Sequence, residues 1–272
     1  MTLKKGRTYD LINMITPSIF EGLSSGVVND LKTLPVTHKN SFDRAKEILS
    51  DGMITPKQCT VFSKERLVYL FYGRASYRVS DKILKKDPMY YPICFVLNAN
   101  SIDISNVFPF DSGAFAYELY KKFIDVNIDI NEYYIEPQII SIKRLVSHFY
   151  GDNKKYYNVE PNFVISSDDE GQDKLLPYME MLNESAKTNE YFDKRGSTIE
   201  ILTKTNVELC SSLIAIIVPI DLEGEVAESI DKLQTKFNVD IIPYLTPGGS
   251  PDEYNIVVCN ELLKYYMENN YI

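Results

Sequence analysis

Three polar residues stand where the sequence otherwise predicts apolar strands. Glu200 lies inside the apolar run of residues 199–202, and a carboxylate among strand residues is costly unless it has a partner or faces a cleft. His38 stands near the end of a short predicted strand, and Arg74 follows an aromatic strand. If the three residues meet, they combine a carboxylate, an imidazole and a permanent cation in one polar site. The alternatives are an edge-strand glutamate that faces water and an amphipathic strand whose arginines extend to solvent.

The strand that carries His38 spans residues 34–40 and runs directly into a helix that ends at Gly52. Asn40 or Ser41 can cap the start of this helix, and a glycine suits the left-handed conformation that ends many helices. The apolar residues of the helix recur on one face, and they are Phe42, Ala45, Ile48 and Leu49. The sequence therefore predicts that a strand end and a helix start lie side by side at His38.

The remaining patterns predict an α+β fold. Strands are expected over residues 68–72, 90–97, 199–202, 213–219 and 239–244, and helices over residues 114–125, 139–149, 175–186 and 224–237. Residues 261–271 are expected to form a helix or a strand-to-helix transition. Asp111 is a natural cap for the first of these helices. Because no internal repeat or low-complexity linker interrupts the chain, we predict one domain over residues 1–272. It would have an N-terminal helical arm at 1–31 and a helical insertion at 100–190.

Composition and charge narrow the function classes. The 272 residues carry a net charge of −9, so a nucleic-acid ligand would need a local basic patch. The basic N-terminus lacks the apolar run of a signal peptide, and the longest apolar stretch, residues 213–220, is too short to span a bilayer. The four cysteines include no C-x-x-C pair, which favours free buried thiols over a zinc site. We predict a cytoplasmic protein with no membrane segment and no metal.

Three short motifs, taken in order, resemble those of the ADP-ribosyltransferase superfamily, and most closely those of DarT-type enzymes that modify DNA bases. The first is a strand ending in His before a capped helix, at residues 36–40. The second is an aromatic strand closing with Arg, at residues 70–76, and the third is a Glu in a late strand, at residues 195–202. The resemblance implies an ADP-ribosyltransferase-like split sheet, mixed or antiparallel, with helical insertions, and NAD as a substrate.

The resemblance also implies roles for individual residues. Glu200 would stabilise the positive charge that develops on the ribose when the nicotinamide–ribose bond breaks. Arg74 would grip phosphate or orient the acceptor, because its guanidinium stays charged. The tyrosine of the His-Tyr-Glu set in poly-ADP-ribose polymerases corresponds to Tyr69 or Tyr72. The residues expected to bind NAD are His38, Thr37, Asn40, Tyr69, Tyr72 and Tyr77.

The function that follows from the resemblance is transfer of ADP-ribose from NAD to a nucleic-acid or protein acceptor. A bacterial toxin or phage-defence effector of this kind would need an antitoxin or defence-system partner to neutralise it. Three alternatives stay open: an NAD glycohydrolase, a catalytically silent sensor or interaction module of the same fold, and an unrelated α+β binding protein. In the last of these, His38 and Arg74 should not share a cleft.

Overall fold

The computed structural model of the chain describes residues 6–11, 19–20, 28, 30–76, 91–163, 175–187, 194–221, 225–246 and 251–272. The strands are β1 (Val36–Ser41), β2 (Met53–Ile54), β3 (Lys57–Gln58), β4 (Arg66–Tyr72), β5 (Pro92–Leu97), β6 (Asn106–Phe108), β7 (Glu200–Thr203), β8 (Val207–Glu208), β9 (Leu213–Pro219) and β10 (Asp240–Tyr244). The helices are α1 (Phe42–Asp51), α2 (Ser112–Ala116), α3 (Ile139–Tyr150), α4 (Asn153–Asn158), α5 (Leu176–Ala186), α6 (Leu209–Ser212), α7 (Glu225–Phe237) and α8 (Pro251–Glu268).

The main sheet is mixed and mostly antiparallel. Its strand order is β10-β9-β5-β1-β4-β7-β6, with β3 pairing β4, while β2 and β8 form a separate ribbon. β9 and β10 run parallel and are joined by α7, which is the strand-helix-strand unit predicted for the C-terminal part. β5 lies between β9 and β1, and all its residues are buried, as its unbroken apolar sequence requires. The α+β class is therefore confirmed.

The sheet opens between β1 and β4. β1 pairs with β5 along its whole length, from Val36–Leu97 to Ser41–Pro92. With β4 it pairs only at Val36–Tyr72 and Thr37–Phe71. Because α1 begins directly after β1, the separation of the two strands leaves a space bordered by a strand, a helix and the inner edge of β4.

Most predicted elements are present with similar bounds. α1 ends at Asp51, and Gly52 follows with φ 68°, as predicted for a glycine that ends a helix. Ser41 occupies the N-cap position, but its side chain makes no capping hydrogen bond. α3, α5 and α7 lie within one or two residues of the helices expected from apolar periodicity. Among the described helices, none has the length and apolar character that a membrane span requires.

Three expectations are corrected by the structure. The helix predicted over residues 114–125 ends at Ala116, because Glu118 adopts a left-handed backbone with φ 61°. The C-terminal helix begins at Pro251, ten residues earlier than expected, with proline in the first helical position. The insertion at 100–190 contains helices but also supplies β6, which pairs with β7. The helix expected in the N-terminal arm lies mostly outside the described residues.

Candidate active site

A cavity of about 720 Å³ lies where the sheet opens, a volume typical of small-molecule sites. Its wall includes His38 and Asn40 of β1, several residues of α1, the β2–β3 segment, and Tyr69 and Phe71 of β4. Glu200 lines it as well, since β7 pairs with β4. The structure thus brings together four residues that the sequence singled out: His38, Asn40, Tyr69 and Glu200.

Glu200 is the most unusual group in the cavity. It is 1% exposed, and its Oε2 accepts a hydrogen bond from the backbone N–H of Ser112 at 3.2 Å. Its Oε1 has no hydrogen-bond partner among the described residues. Burial raises the pKa of the Glu200 carboxyl well above its ordinary value, and the negative charge of Asp111 raises it further, while Ser112 and Arg195 oppose the shift. Glu200 is therefore held as a neutral acid over a wider pH range than an exposed glutamate.

His38 is fixed in one tautomer by its two hydrogen bonds. Its Nδ1 lies 2.8 Å from the carbonyl oxygen of Tyr69, which can only accept, so Nδ1 carries the proton. Its Nε2 lies 2.6 Å from the amide nitrogen of Asn40, which donates to it. Burial lowers the pKa of His38, the Tyr69 carbonyl raises it, and the charge of Lys57 lowers it, with a net decrease. The imidazole therefore presents a neutral acceptor nitrogen towards Asn40.

Tyr69 joins the cavity to a buried thiol. Its hydroxyl lies 2.6 Å from Sγ of Cys59, and the same sulfur accepts backbone N–H bonds from Val61 and Phe62 at 3.2 and 3.0 Å. Burial raises the pKa of Tyr69, and the negative charge of Glu200 raises it further. Tyr69 thus stays protonated, with its ring on the cavity wall and its hydroxyl anchored at Cys59.

Three residues proposed for NAD binding or catalysis do not line the cavity. Arg74 is 9% exposed and its Nη1 donates to the carbonyl and hydroxyl oxygens of Ser197, at 3.0 and 2.9 Å. Thr37 is buried, and its hydroxyl donates to the carbonyl oxygen of Arg74 at 2.8 Å. The Tyr72 hydroxyl accepts the backbone N–H of Leu34 at 3.0 Å. These side chains tie the end of β4 to its neighbours, and they lie away from the residues that line the cavity.

Tyr77, the remaining predicted NAD-binding residue, lies outside the residues that the structure describes.

Asp111 and Arg195 belong to the cavity although the sequence did not mark them as site residues. Asp111 caps α2 as predicted, because its Oδ1 accepts the backbone N–H of Ala114 at 2.6 Å. Its Oδ2 lies 3.6 Å from Nη1 of Arg195. The capping pattern indicated the position of Asp111. Its closeness to Glu200 depends on the hydrogen bond between Ser112 and Glu200, which are 88 positions apart in the chain. At this part of the cavity wall, the carboxyl groups of Glu200 and Asp111 and the guanidinium of Arg195 therefore lie together.

Other charged groups line the α1 side. Arg44 and Lys57 both line the cavity, and Lys57 forms an exposed ion pair with Glu47 at 3.1 Å. Across the described residues, no group of three or more His, Cys, Asp or Glu side chains is placed to hold a metal ion.

A scan against protein-family models found no match to this chain, and a search of curated proteins found no similar sequence. The chemical interpretation of the cavity consequently rests on its own residues.

Proposed function

We propose that the chain is an NAD-consuming enzyme that cleaves the nicotinamide–ribose bond and passes ADP-ribose to an acceptor. The observation that carries this proposal is the buried Glu200 carboxyl, with one unpartnered oxygen, in a cavity shared with His38 and Tyr69. The cavity lies in an opening of a mixed sheet, which is consistent with the split sheet that the motif resemblance implies.

Glu200 fits a bond cleavage that leaves positive charge on a ribose. The nicotinamide ring of NAD⁺ is cationic and leaves as a neutral base, so this leaving group needs no proton from the enzyme. A cation beside Glu200 favours its carboxylate form and lowers its raised pKa. The carboxylate then stabilises the oxocarbenium-like transition state from a buried position on the cavity wall. Substrate binding would thus convert the neutral acid of the free protein into the charged group that the reaction needs.

His38 and Tyr69 fit substrate positioning. The neutral Nε2 of His38 can accept a hydrogen bond from a ribose hydroxyl when the Asn40 amide turns away from it. The ring of Tyr69 lies on the cavity wall and offers a face on which nicotinamide can stack. We assign the pyrophosphate to Arg44 and Lys57, and we assign to Arg74 a positioning role, since it holds Ser197 three residues before Glu200.

An enzyme that consumes NAD in this way suits a cytoplasmic toxin or antiviral-defence effector. A partner that blocks the cavity, such as an antitoxin, would protect the host cell. A nucleic-acid acceptor is the least favoured by charge, because the chain is net negative and acidic residues Asp43, Glu47 and Asp51 also line the cavity.

The test is nicotinamide release from NAD by the purified chain, measured by chromatography, with Glu200→Gln beside it. Glutamine fills the same space and accepts the same bond from Ser112, but cannot become a carboxylate. Glu208→Gln, at an exposed position, is the matched control. We expect release by the parent and the control, and a large loss in Glu200→Gln with retained folding. No release by a folded parent under any condition would refute the proposal.

The second candidate is a binding protein without catalysis. It is favoured by one observation, the separation of His38 in the cavity from Arg74 outside it. Calorimetry with NAD separates the two candidates, because a binding protein would show a saturable heat while NAD stays intact over hours. No turnover and no heat would remove the enzyme and any role in NAD binding, and would leave the unrelated binding protein.

A further inference from the structure

We infer that the acceptor is water and that Asp111 takes its proton, so that the reaction of this chain is hydrolysis of NAD to ADP-ribose and nicotinamide. The inference rests on the proposed function and adds a second catalytic residue to it. It starts from the carboxyl groups of Asp111 and Glu200, which both line the cavity and lie close together because the N–H of Ser112, next to Asp111 in the chain, donates to Glu200.

The two carboxyl groups have different surroundings, and this separates their roles. Glu200 accepts a single backbone hydrogen bond and leaves Oε1 without a partner. Asp111 accepts a backbone N–H at Oδ1 and faces the guanidinium of Arg195 at Oδ2, at 3.6 Å. A neighbouring cation offsets the negative charge of Asp111. One group is thus placed to meet the cationic substrate, and the other is supported as an anion that can accept a proton.

The low exposure of Asp111 favours a small acceptor molecule. Asp111 is 6% exposed, and it shares the cavity with the fully enclosed Glu200. An acceptor atom on a protein or nucleic-acid chain would have to enter this depth with its backbone attached. A water molecule fits there, and buried polar oxygens such as Glu200 Oε1 and the unpartnered Oγ of Ser112 are the groups that bind water in proteins.

The bond changes balance without a further reagent. The water oxygen forms a bond to the anomeric carbon of the ribose, while the bond from that carbon to the nicotinamide nitrogen breaks. The bonding pair goes to the ring nitrogen, which leaves neutral, and one water proton moves to the Asp111 carboxylate before being released to solvent. The sum is NAD⁺ plus water giving ADP-ribose, nicotinamide and a proton.

Asp111→Asn isolates the proton transfer from the capping role, because an asparagine oxygen can still accept the N–H of Ala114. We expect nicotinamide release to fall by about 10²- to 10⁴-fold, the usual contribution of a general base. Added azide should restore release, since the azide anion attacks carbon without losing a proton, and the product should become the azide adduct of ADP-ribose. Asp152→Asn, which alters the equivalent cap of α4 outside the cavity, should keep the parental rate.

Gly113→Ala provides a second variant that keeps both carboxylates. A Cβ at residue 113 would stand 3.0 Å from Oδ1 of Asp111, so this oxygen would have to shift by a few tenths of an ångström. We expect slower hydrolysis that azide again restores, whereas azide should not rescue Glu200→Gln, whose defect lies in bond cleavage.

Three outcomes would overturn the inference while leaving the proposed function intact. They are unchanged hydrolysis in Asp111→Asn, a loss that azide does not restore, and a parent that places most ADP-ribose on a macromolecule instead of releasing it. A folded parent that never releases nicotinamide would instead remove the proposed function itself.

Discussion

Glu200→Gln should stabilise the free protein, and increasingly so as the pH rises. The pKa of Glu200 is raised in the folded state because burial and Asp111 disfavour its charged form. Below an ordinary value of 4.5 the carboxyl is protonated in both the folded and unfolded states, and the two states do not differ. Above it, the unfolded chain loses the proton first, so the folded state binds more protons and stability falls with pH until Glu200 also ionises.

The size of the effect follows from one proton. A single group that is protonated only in the folded state changes the free energy of unfolding by about 1.4 kcal/mol per pH unit. In a chain of this length, that corresponds to a melting temperature lower by about 2 °C per pH unit. Glutamine keeps the bond from Ser112 and has no proton to lose. The stability gap between the variant and the parent should therefore open from pH 4.5 upwards and level off where Glu200 ionises in the folded protein.

The assay is urea denaturation of both proteins between pH 4 and pH 9, in a single buffer series of fixed ionic strength. Glu208→Gln removes an exposed carboxyl and should run parallel to the parent at every pH. A gap between Glu200→Gln and the parent that stays constant with pH would refute the reasoning. The reasoning would also be refuted if the parent gained stability relative to the variant as the pH rises, because a glutamate with a lowered pKa gives that pH dependence of the free energy of unfolding.

Three further predictions concern NAD⁺ binding, a pair of glycines and the side chain of Arg74. In the pH range where Glu200 is protonated in the free protein, the affinity for NAD⁺ should rise by up to about tenfold for each unit of increase in pH. The affinity for NADH, whose nicotinamide ring is neutral, should not change in this way. Calorimetry with both ligands at several pH values measures the difference. Gly52→Ala should cost about 1 kcal/mol for its left-handed backbone alone. Gly73→Ala should cost about 1 to 3 kcal/mol more, since its Cβ would lie 2.5 Å from Leu34 Cδ1, and urea denaturation measures both. Arg74→Ala should lower the free energy of unfolding by about 3 kcal/mol, because it removes two charged hydrogen bonds to Ser197.

The part of the site that could be predicted from sequence is the part built by neighbours in the chain. His38, α1 and Gly52 follow one another directly, so capping and periodicity were enough to place them. Asp111 was expected as a helix cap for the same reason. Glu200 attracted notice because a carboxylate contradicts the apolar pattern around it. Each of these signals is local in the chain, and the structure contains each feature that they indicated.

The alternation of side chains along β4 explains why Tyr72 does not line the cavity. Successive side chains of a strand point to opposite faces, so Tyr69 and Phe71 cannot share a face with Tyr72. The cavity is lined by the first two, while Tyr72 binds Leu34 elsewhere. Arg74 comes after the turn at Gly73, with φ 66°, and binds Ser197. Motif order alone did not carry this information about direction.

Contacts between distant segments could not be predicted. Glu200 meets Ser112 only because β6 pairs with β7 and α2 begins four residues after β6. α2 is a single short turn of helix whose end depends on the left-handed backbone of Glu118, and no apolar period marks such a stop. The sequence therefore predicted Asp111 as a helix cap, but it did not predict that the Asp111 carboxyl lies near Glu200.

The carboxyl at position 200 is not explained by the stability of the fold. A glutamine there would occupy the same volume, accept the same bond from Ser112 and avoid the loss of stability that the parent suffers above pH 4.5. The one property that glutamine lacks is the capacity to become an anion when a cation enters the cavity. Burial and the charge of Asp111 make that ionisation unfavourable in the free protein, and a cationic ring beside Glu200 would offset both. The features that weaken the fold at Glu200 are thus the features that would favour NAD⁺ over NADH, and one substitution should remove both together.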